Sequence, residues 1–314
     1  MLTQNPLFLL YIVILSVETI YGVSTNAFII FFICYYYGLD KSASNKVILA
    51  LSIANVLYAS ISYINVMLVY IKPIIFQNTS ITPTVFVFGM FLITSSSWLT
   101  VCLCVFYFMK IQTFRSDFLS RLKTKVSSAI PWMILMAELL SAVSASFNIL
   151  EFLENGDSAK NLSLVQLDMV KASSTGIFPN NLYISFVSSC LPFLISVVTT
   201  GATIWSLKKH SNKMEKSHTK SSAGVNVKAY ERTIRHMMRL LIFYGIFYVI
   251  LFLFYFNLFP AFTTGFWVFL MVTFLYAPVQ STLLIFANTK LKKAWMKIFH
   301  CKVTSSQEEE SGSG

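Results

Sequence analysis

Charged and amide side chains are rare in the apolar stretches of this chain. Two of them, near its start, are separated by a glycine at helical spacing. Glu18, Gly22 and Asn26 stand four residues apart, which places them on one face of a helix. Polar groups are costly inside a membrane, so this face requires partners such as the amide of Asn55 in the next apolar stretch. Gly22 would let a neighbouring helix approach closely. The pattern predicts either polar contacts that hold a helical bundle together or a network that rearranges between two states.

The sequence contains no arrangement of nucleophiles, bases or metal ligands that is typical of an enzyme. It has no Gly-x-Ser-x-Gly, His-Glu-x-x-His or Walker motif. Its histidines are scattered outside the apolar stretches, which argues against a metal site within them. No pair of Gly/Pro-broken helices recurs in matching halves, as a transporter would favour. We therefore predict no catalytic residue, no metal and no cofactor.

The composition predicts an integral membrane protein. The chain is 56% hydrophobic and only 12% charged, and a soluble protein of this size needs more charge to cover its surface. Apolar runs of roughly 20 residues, enough to cross the hydrocarbon layer, recur along the chain. They predict an all-α, seven-transmembrane helix bundle within one domain, residues 1–299, followed by a disordered tail, residues 300–314. The spans are predicted at about 7–36, 47–71, 84–109, 126–150, 182–207, 240–259 and 264–286.

The distribution of basic residues predicts the orientation of the bundle. Of the 24 lysines and arginines, 21 lie in alternate connections, and this asymmetry is typical of cytoplasmic loops. The N-terminus would then lie outside and the C-terminus inside, as an odd number of spans requires. Both N-glycosylation sequons, at Asn78 and Asn161, fall in connections predicted to be outside. The net charge of +11 is thus explained by the topology of a multi-pass membrane protein, without nucleic acid.

The segment after the seventh predicted span has an amphipathic pattern. Leu291, Trp295, Ile298 and Phe299 stand against a lysine-rich face, which suits a short helix on the inner membrane surface in contact with anionic lipid. Cys301 follows it and is either a free thiol or a palmitoylation site. The other four cysteines lie within predicted spans, so the predicted outer loops have none to form a disulfide.

The end of the third apolar stretch carries a family resemblance. Phe106-Tyr107-x-x-Lys110-Ile111 stands where many seven-span receptors have an acidic-Arg-Tyr triplet. It resembles the third helix of type 2 taste receptors, the bitter taste receptors. Three further stretches are similar to other helices of that family: the Glu-x-x-x-Gly-x-x-x-Asn pattern of the first span, Leu191–Met214 and Gln280–Trp295. The resemblance covers nearly the whole chain, with three departures: Asn55 replaces a usual Arg, and Gln280 and Tyr230 each replace a His.

The resemblance implies a G-protein-coupled receptor for small amphipathic bitter molecules that signals through a gustducin-like heterotrimeric G protein. The ligand would lie in the outer half of the bundle, where Trp98 corresponds to an agonist-contacting tryptophan. Cys102 lies one turn deeper than Trp98, and Phe247 lies one turn nearer the pocket mouth than the sixth-helix residue Tyr244. Helical spacing adds Tyr70, Ser185, Ser188 and Thr273 to the predicted ligand-binding residues.

The resemblance also implies an activation switch and an inner cleft for the G protein. Tyr244 aligns with the aromatic toggle of the sixth helix, and the predicted switch residues are Tyr244, Glu18, Asn26, Asn55, Gln280 and Ser281. The predicted cleft residues lie at the inner ends of spans three, five and six and are Phe106, Tyr107, Lys110, Arg115, His210 and Arg235.

Alternative functions remain open from the sequence. A vomeronasal type 1-like chemosensory receptor is the nearest, and a seven-span transporter or an intramembrane enzyme is a more distant one. A transporter or enzyme would turn over a substrate independently of any G protein. The sequence leaves open the ligand's identity and whether the receptor forms an oligomer.

Overall fold

The regular structure in the described part of the chain is entirely α-helical. The computed structural model describes residues 6–37, 42–71, 81–111, 117–154, 180–216, 235, 238–250, 252–253, 263–288 and 290–298. We number its helices in chain order: α1 Pro6–Tyr37, α2 Ala43–Ile71, α3 Ile81–Ile111, α4 Asp117–Glu154, α5 Asn180–Lys216, α6 Met238–Ile250, α7 Thr264–Phe274, α8 Tyr276–Ala287 and α9 290–298.

Six stretches of helix are long and apolar enough to cross a membrane, and they coincide with six of the seven predicted spans. They are Leu9–Tyr36, Ala43–Leu68, Val87–Ile111, Lys123–Phe147, Cys190–Lys209 and Thr264–Ala287. The predicted sixth span, 240–259, is described only in part, as the shorter apolar helix α6. The count of seven and the orientation of the termini therefore stay predictions. Asn78, Asn161, Arg115, Cys301 and the predicted tail lie outside the described residues.

The distribution of side chains is that of a helical membrane protein. Large apolar side chains such as Ile20, Trp132 and Val198 are 66%, 70% and 68% exposed, whereas Asn55 and Gln280 are fully buried. A soluble protein rarely exposes so much apolar surface, but a lipid-facing helix does so at no cost. Polar side chains instead face the other helices, because only there can they find hydrogen-bond partners.

The last predicted span is broken into α7 and α8 by a turn at Leu275. Pro278 follows in the first turn of α8, and its ring nitrogen has no hydrogen to donate to the carbonyl of Phe274, one turn earlier. Pro278 contacts α1 at Gly22, where an added Cβ would lie only 3.0 Å from Cδ of Pro278. Gly22 is therefore needed here for close helix approach, as the sequence predicts.

Helix α9 turns away from α8 at a capping residue and docks on α1. The Asn288 side-chain oxygen accepts hydrogen bonds from the backbone N–H groups of Lys290 and Leu291, at 3.0 and 3.3 Å. Leu291 is fully buried, and the ring of Trp295 meets Phe28 of α1 edge-on at 4.9 Å. The lysines lie on the other side of α9, where Lys292, Lys293 and Lys297 are exposed.

Candidate functional site

Gln280 of α8 is the centre of a buried polar network. Its Nε2 donates hydrogen bonds to the hydroxyl of Tyr244 on α6, at 2.7 Å, and to Oγ1 of Thr100 on α3, at 2.9 Å. Its Oε1 accepts from Nδ2 of Asn55 on α2, at 2.7 Å. Both ends of the amide are thus satisfied, and one side chain connects four helices.

Asn55 extends the network to α1 and α3. Its Nδ2 also donates to Oδ1 of Asn26, at 3.3 Å, and its Oδ1 accepts from the hydroxyl of Ser96, at 2.8 Å. The family resemblance leads us to expect an arginine at this position. A neutral amide suits a fully buried position, because it donates and accepts at once and needs no counter-ion.

A second set of hydrogen bonds surrounds the contact between Gly22 and Pro278. The hydroxyls of Thr25 and Ser281 lie 2.7 Å apart, and Ser281 donates to the carbonyl of Pro278 at 3.0 Å. Nδ2 of Asn26 donates to the carbonyl of Gly22 at 2.8 Å, within its own helix. The structure thereby brings together five of the six predicted switch residues, in one continuous region: Asn26, Asn55, Tyr244, Gln280 and Ser281.

Glu18 is the predicted switch residue that the network does not include. It lies eight residues before Asn26, which corresponds to about 12 Å along the helix axis. Its side chain is half-buried in a groove between α1 and α8. The carboxyl oxygen Oε2 is buried and has no hydrogen-bond partner among the described residues.

An aromatic layer adjoins the network. Tyr244, Phe247 and Tyr276 are buried together, and the rings of Phe247 and Tyr276 are 4.6 Å apart. Phe193 of α5 stacks on Tyr248 at 4.4 Å. We use the name aromatic layer for these five residues. Because Tyr244 and Tyr276 also contact Gln280, at 2.7 and 3.5 Å, a displacement of the layer reaches the network directly.

Trp98 and Cys102 lie elsewhere, in a groove between α3 and α4. The groove has a volume of about 300 Å³ and is also lined by the exposed Trp132. The Cys102 thiol donates to the carbonyl of Met133, at 3.4 Å. Trp98 is half-buried against α4, whereas the next face of α3 presents Ser97 to the hydroxyl of Tyr248 at 3.4 Å. In the described part of the chain, Trp98 and Phe247 therefore belong to different neighbourhoods.

The other predicted ligand-binding residues are described to different extents. The Thr273 hydroxyl is half-buried and donates to the carbonyl of Phe269, one turn earlier in α7, at 2.9 Å. Tyr70 lies in α2, and Ser185 and Ser188 lie in α5, but their side chains are outside the described set. The structure thus assigns these three residues to helices only.

The predicted G-protein cleft is described at the end of α3. Phe106 is buried in the core, whereas Tyr107 is half-buried and Lys110 is exposed, with its Nζ 5.5 Å from the centre of the Phe106 ring. Arg235 is exposed, and His210 lies in α5 with its side chain outside the description. Of the three predicted cleft residues at this end of α3, Tyr107 and Lys110 are therefore the ones with accessible side chains.

Sequence reasoning missed three members of the network: Ser96, Thr100 and Tyr276. Ser96 and Thr100 stand four residues apart on one face of α3, and Tyr276 and Gln280 do the same on α8, so the spacing could have indicated them. Thr100 also donates to the carbonyl of Ser96, at 2.8 Å. Hydroxyl side chains can satisfy themselves in this way within a helix, which makes them a weak signal. Among the described residues, no group of His, Cys, Asp and Glu side chains could hold a metal ion.

Proteins of known family resemble this chain over almost its full length. The family model described as "Taste receptor protein (TAS2R)" matches residues 1–303. Taste receptor type 2 member 123 of Mus musculus is 25% identical over 285 residues, which cover 86% of this chain and 85% of the relative. Taste receptor type 2 member 8 of Homo sapiens is 22% identical over 304 residues, 93% of this chain and 96% of the relative. Member 9 of Pongo pygmaeus is 21% identical over 294 residues, with 92% and 93% covered.

Proposed function

The chain belongs to the taste receptor type 2 family, and from this premise we propose that it is a receptor for small amphipathic bitter molecules that signals through a gustducin-like heterotrimeric G protein. The family match over residues 1–303 carries the proposal, because it covers all of the helices together. Membership makes the chain a multi-pass G-protein-coupled receptor. The ligand class, the G protein, the plasma-membrane location and the residues involved are the proposed parts.

We place the agonist on the predicted outer side of the aromatic layer, against Phe247. Hydroxyl groups that could hydrogen-bond to the agonist would come from α2, α5 and α7, at Tyr70, Ser185, Ser188 and Thr273. The described side chains of the layer are aromatic, and none of them is charged. Such a lining favours amphipathic, largely neutral molecules, which combine an apolar body with one or two hydrogen-bonding groups.

The proposed signal passes from the aromatic layer to Gln280. An agonist can shift an equilibrium only if it binds one state more tightly than the other. Tyr244 and Tyr276 belong both to the layer and to the network, so a ligand that moves Phe247 changes the hydrogen bonds of Gln280. Helix α6 would then move at its predicted inner end and open a cleft beside Tyr107 and Lys110.

Trp98 and Cys102 belong to a second version of the ligand site. The groove between α3 and α4 lies beside Trp132, which is 70% exposed, so an agonist there would arrive from the bilayer. On the predicted inner side, Arg115, His210 and Arg235 would complete the G-protein cleft, and the exposed lysines of α9 would bind anionic lipid.

A calcium-mobilisation assay tests the proposal. Cells that express the full chain with a gustducin-like chimeric G protein are challenged with a chemically diverse panel of bitter compounds. Phe247→Ala and Trp98→Ala are compared with the parent at equal surface expression, and Phe31→Ala, which removes an exposed aromatic ring of α1, is the control.

The two variants distinguish the two versions of the site. A response that Phe247→Ala abolishes and Trp98→Ala retains supports the aromatic layer, and the reverse pattern supports the groove between α3 and α4. A response that both variants retain would exclude both places as the agonist-binding site. Silence of the parent across the panel, with surface expression verified, would count against bitter compounds as its ligands.

A further inference from the structure

We propose that the groove between α1 and the junction of α7 and α8 binds a lipophilic amine from the bilayer, held by the carboxyl group of Glu18. The groove has a volume of about 280 Å³. Val17, Glu18 and Tyr21 line it from α1, and Leu275, Pro278 and Thr282 line it from the other side. It is separate from the aromatic layer and from the groove at Trp98.

The groove faces the region where lipid would lie. Val17 is 60% exposed and Tyr21 is 46% exposed, and Leu275 is also exposed on the opposite wall. Glu18 follows the start of the apolar stretch Leu9–Tyr36 by nine residues, or about 14 Å of helix. Glu18 would therefore lie well inside the hydrocarbon layer, on the wall of a groove that opens toward the lipid.

The described side chains beside the groove offer no hydrogen to the Glu18 carboxyl group. Thr282 donates its hydroxyl hydrogen to the carbonyl of Pro278, at 2.7 Å. The hydroxyl of Tyr21 lies 3.1 Å from the same Thr282 oxygen, so Tyr21 is the donor in that contact. Oε2 of Glu18 is buried and has no hydrogen-bond partner among the described residues. A donor from the bilayer would therefore meet a need that no described residue meets.

Glu138 shows that the lack of a hydrogen-bond partner is not shared by every acidic residue of the spans. It lies in α4, within the apolar stretch Lys123–Phe147. Its Oε1 accepts a hydrogen bond from Ser95 of α3 at 2.8 Å. One span glutamate thus has a partner in the bundle, whereas Glu18 lines a lipid-facing groove and its buried Oε2 has none among the described residues.

The chemistry of Glu18 favours an amine over other membrane-dissolved molecules. An amine and a carboxyl group have no net charge together, whether the proton is on the oxygen or on the nitrogen, so the pair can enter a low-dielectric region. An ammonium group also supplies several N–H donors, whereas an alcohol supplies one and leaves a carboxylate charge uncompensated. The apolar walls would take the first part of the alkyl chain, at about 0.8 kcal/mol for each buried methylene group.

The site is testable by binding alone, independently of the proposed signalling function. The full chain in phosphatidylcholine nanodiscs is titrated with a radiolabelled long-chain primary amine, and empty nanodiscs give the lipid background. We expect a saturable component in the parent that is lost, by about tenfold in affinity or more, in Glu18→Gln. Glu138→Gln is the matched control and should bind as the parent does. Val17→Trp should block the groove while it leaves the carboxyl group in place.

The outcomes separate the proposal from its alternatives. Loss of the saturable component in both Glu18→Gln and Val17→Trp, with thermal unfolding showing folded protein, supports the amine site. If Glu18→Gln fails to fold, Val17→Trp alone decides. Equal binding by the parent and the folded groove variants would overturn the proposal, as would the absence of a saturable component in the parent. Equal competition by the alcohol of the same chain length would indicate a neutral hydroxyl ligand and would also overturn it.

Discussion

Buried amide and hydroxyl side chains link the helices of this protein at the scale of single residues. An amide both donates and accepts, so Asn55 and Gln280 satisfy one another at 2.7 Å and still reach Ser96, Thr100 and Tyr244. A fully buried charge would need a counter-ion in the same place, whereas two amides do not. The contact between Asn55 and Gln280 thus offers a physical reason for two of the departures that the family resemblance indicates, since both lie at one location.

Two buried serines of the same core allow this network to be tested. The Ser96 hydroxyl donates to Asn55 at 2.8 Å, whereas the Ser52 hydroxyl is buried and has no hydrogen-bond partner among the described residues. We expect Ser96→Ala to lower the free energy of unfolding by about 1 kcal/mol, because it leaves the Asn55 oxygen short of a donor. Ser52→Ala should be neutral or slightly stabilising. Thermal unfolding in nanodiscs measures the stability of both variants. An equal loss of stability in the two would show that the hydrogen bond of Ser96 to the network does not stabilise the fold.

The residues of the network were predictable to the extent that their burial is costly. Asn26, Asn55 and Gln280 stand out in apolar stretches because an amide there must find a partner. Ser96 and Thr100 do not stand out, since hydroxyl groups can bond to their own helix. The direction in which Trp98 points could not be derived either. Helix α3 is apolar around most of its circumference, so its sequence gives little indication of which face meets α4 and which meets α6.

At the scale of helices, the predicted spans and the observed helices agree in their centres and differ at their ends. Helix α4 begins at Asp117 although its span was predicted from 126, and α5 continues to Lys216 although its span was predicted to end at 207. Hydropathy indicates where a helix meets lipid, but a helix continues beyond the bilayer wherever its polar residues favour it. The break at Leu275 lies within one apolar run, and only Pro278 indicates it in the sequence.

The contact between α1 and Pro278 of α8 gives a prediction for two glycines. A Cβ at Gly22 would lie 3.0 Å from Cδ of Pro278, whereas a Cβ at Gly201 of α5 would meet no atom within 4 Å. We expect Gly22→Ala to separate α1 from α8 and to cost about 1–3 kcal/mol of stability. Gly201→Ala should be neutral or stabilising by up to about 1 kcal/mol, because alanine favours helix. Thermal unfolding of the two variants tests this prediction. If Gly22→Ala is as stable as the parent, α1 and α8 adjust to the added methyl group without loss of stability.

At the scale of the whole molecule, the described helices are not all held together in the same way. Helices α1 to α4, with α8 and α9, share one large buried cluster, which includes Ile29, Leu51, Leu99, Ile130 and Leu291. The described part of α6 instead contributes Tyr244 and Phe247 to a smaller cluster with Tyr276. The Tyr244 hydroxyl attaches α6 to the network through Gln280. A helix whose described residues join the rest mainly through a separate aromatic cluster suits a part that moves against a firmer remainder.

The attachment of α6 leads to a prediction about signalling without agonist. Tyr244→Phe removes the hydroxyl that accepts from Gln280 at 2.7 Å and keeps the ring in the aromatic layer. An interhelical hydrogen bond in a membrane contributes about 0.6–1.7 kcal/mol, so its loss would shift the resting equilibrium roughly 3- to 20-fold toward the state in which α6 has moved. Basal signalling with the chimeric G protein should rise accordingly.

A matched control for this variant joins helices on the other side of the bundle. The Tyr63 hydroxyl of α2 lies 2.8 Å from that of Ser16 on α1, so Tyr63→Phe removes one interhelical hydrogen bond and leaves α6 untouched. If the resting state depends on how α6 is held, Tyr63→Phe should lower thermal stability but leave basal signalling at the parental level. A rise in both variants would mean that any loosening of the bundle activates it. If basal signalling rises in neither variant at equal surface expression, Tyr244 is not part of the switch. Its hydrogen bond to Gln280 would then serve only to stabilise the fold.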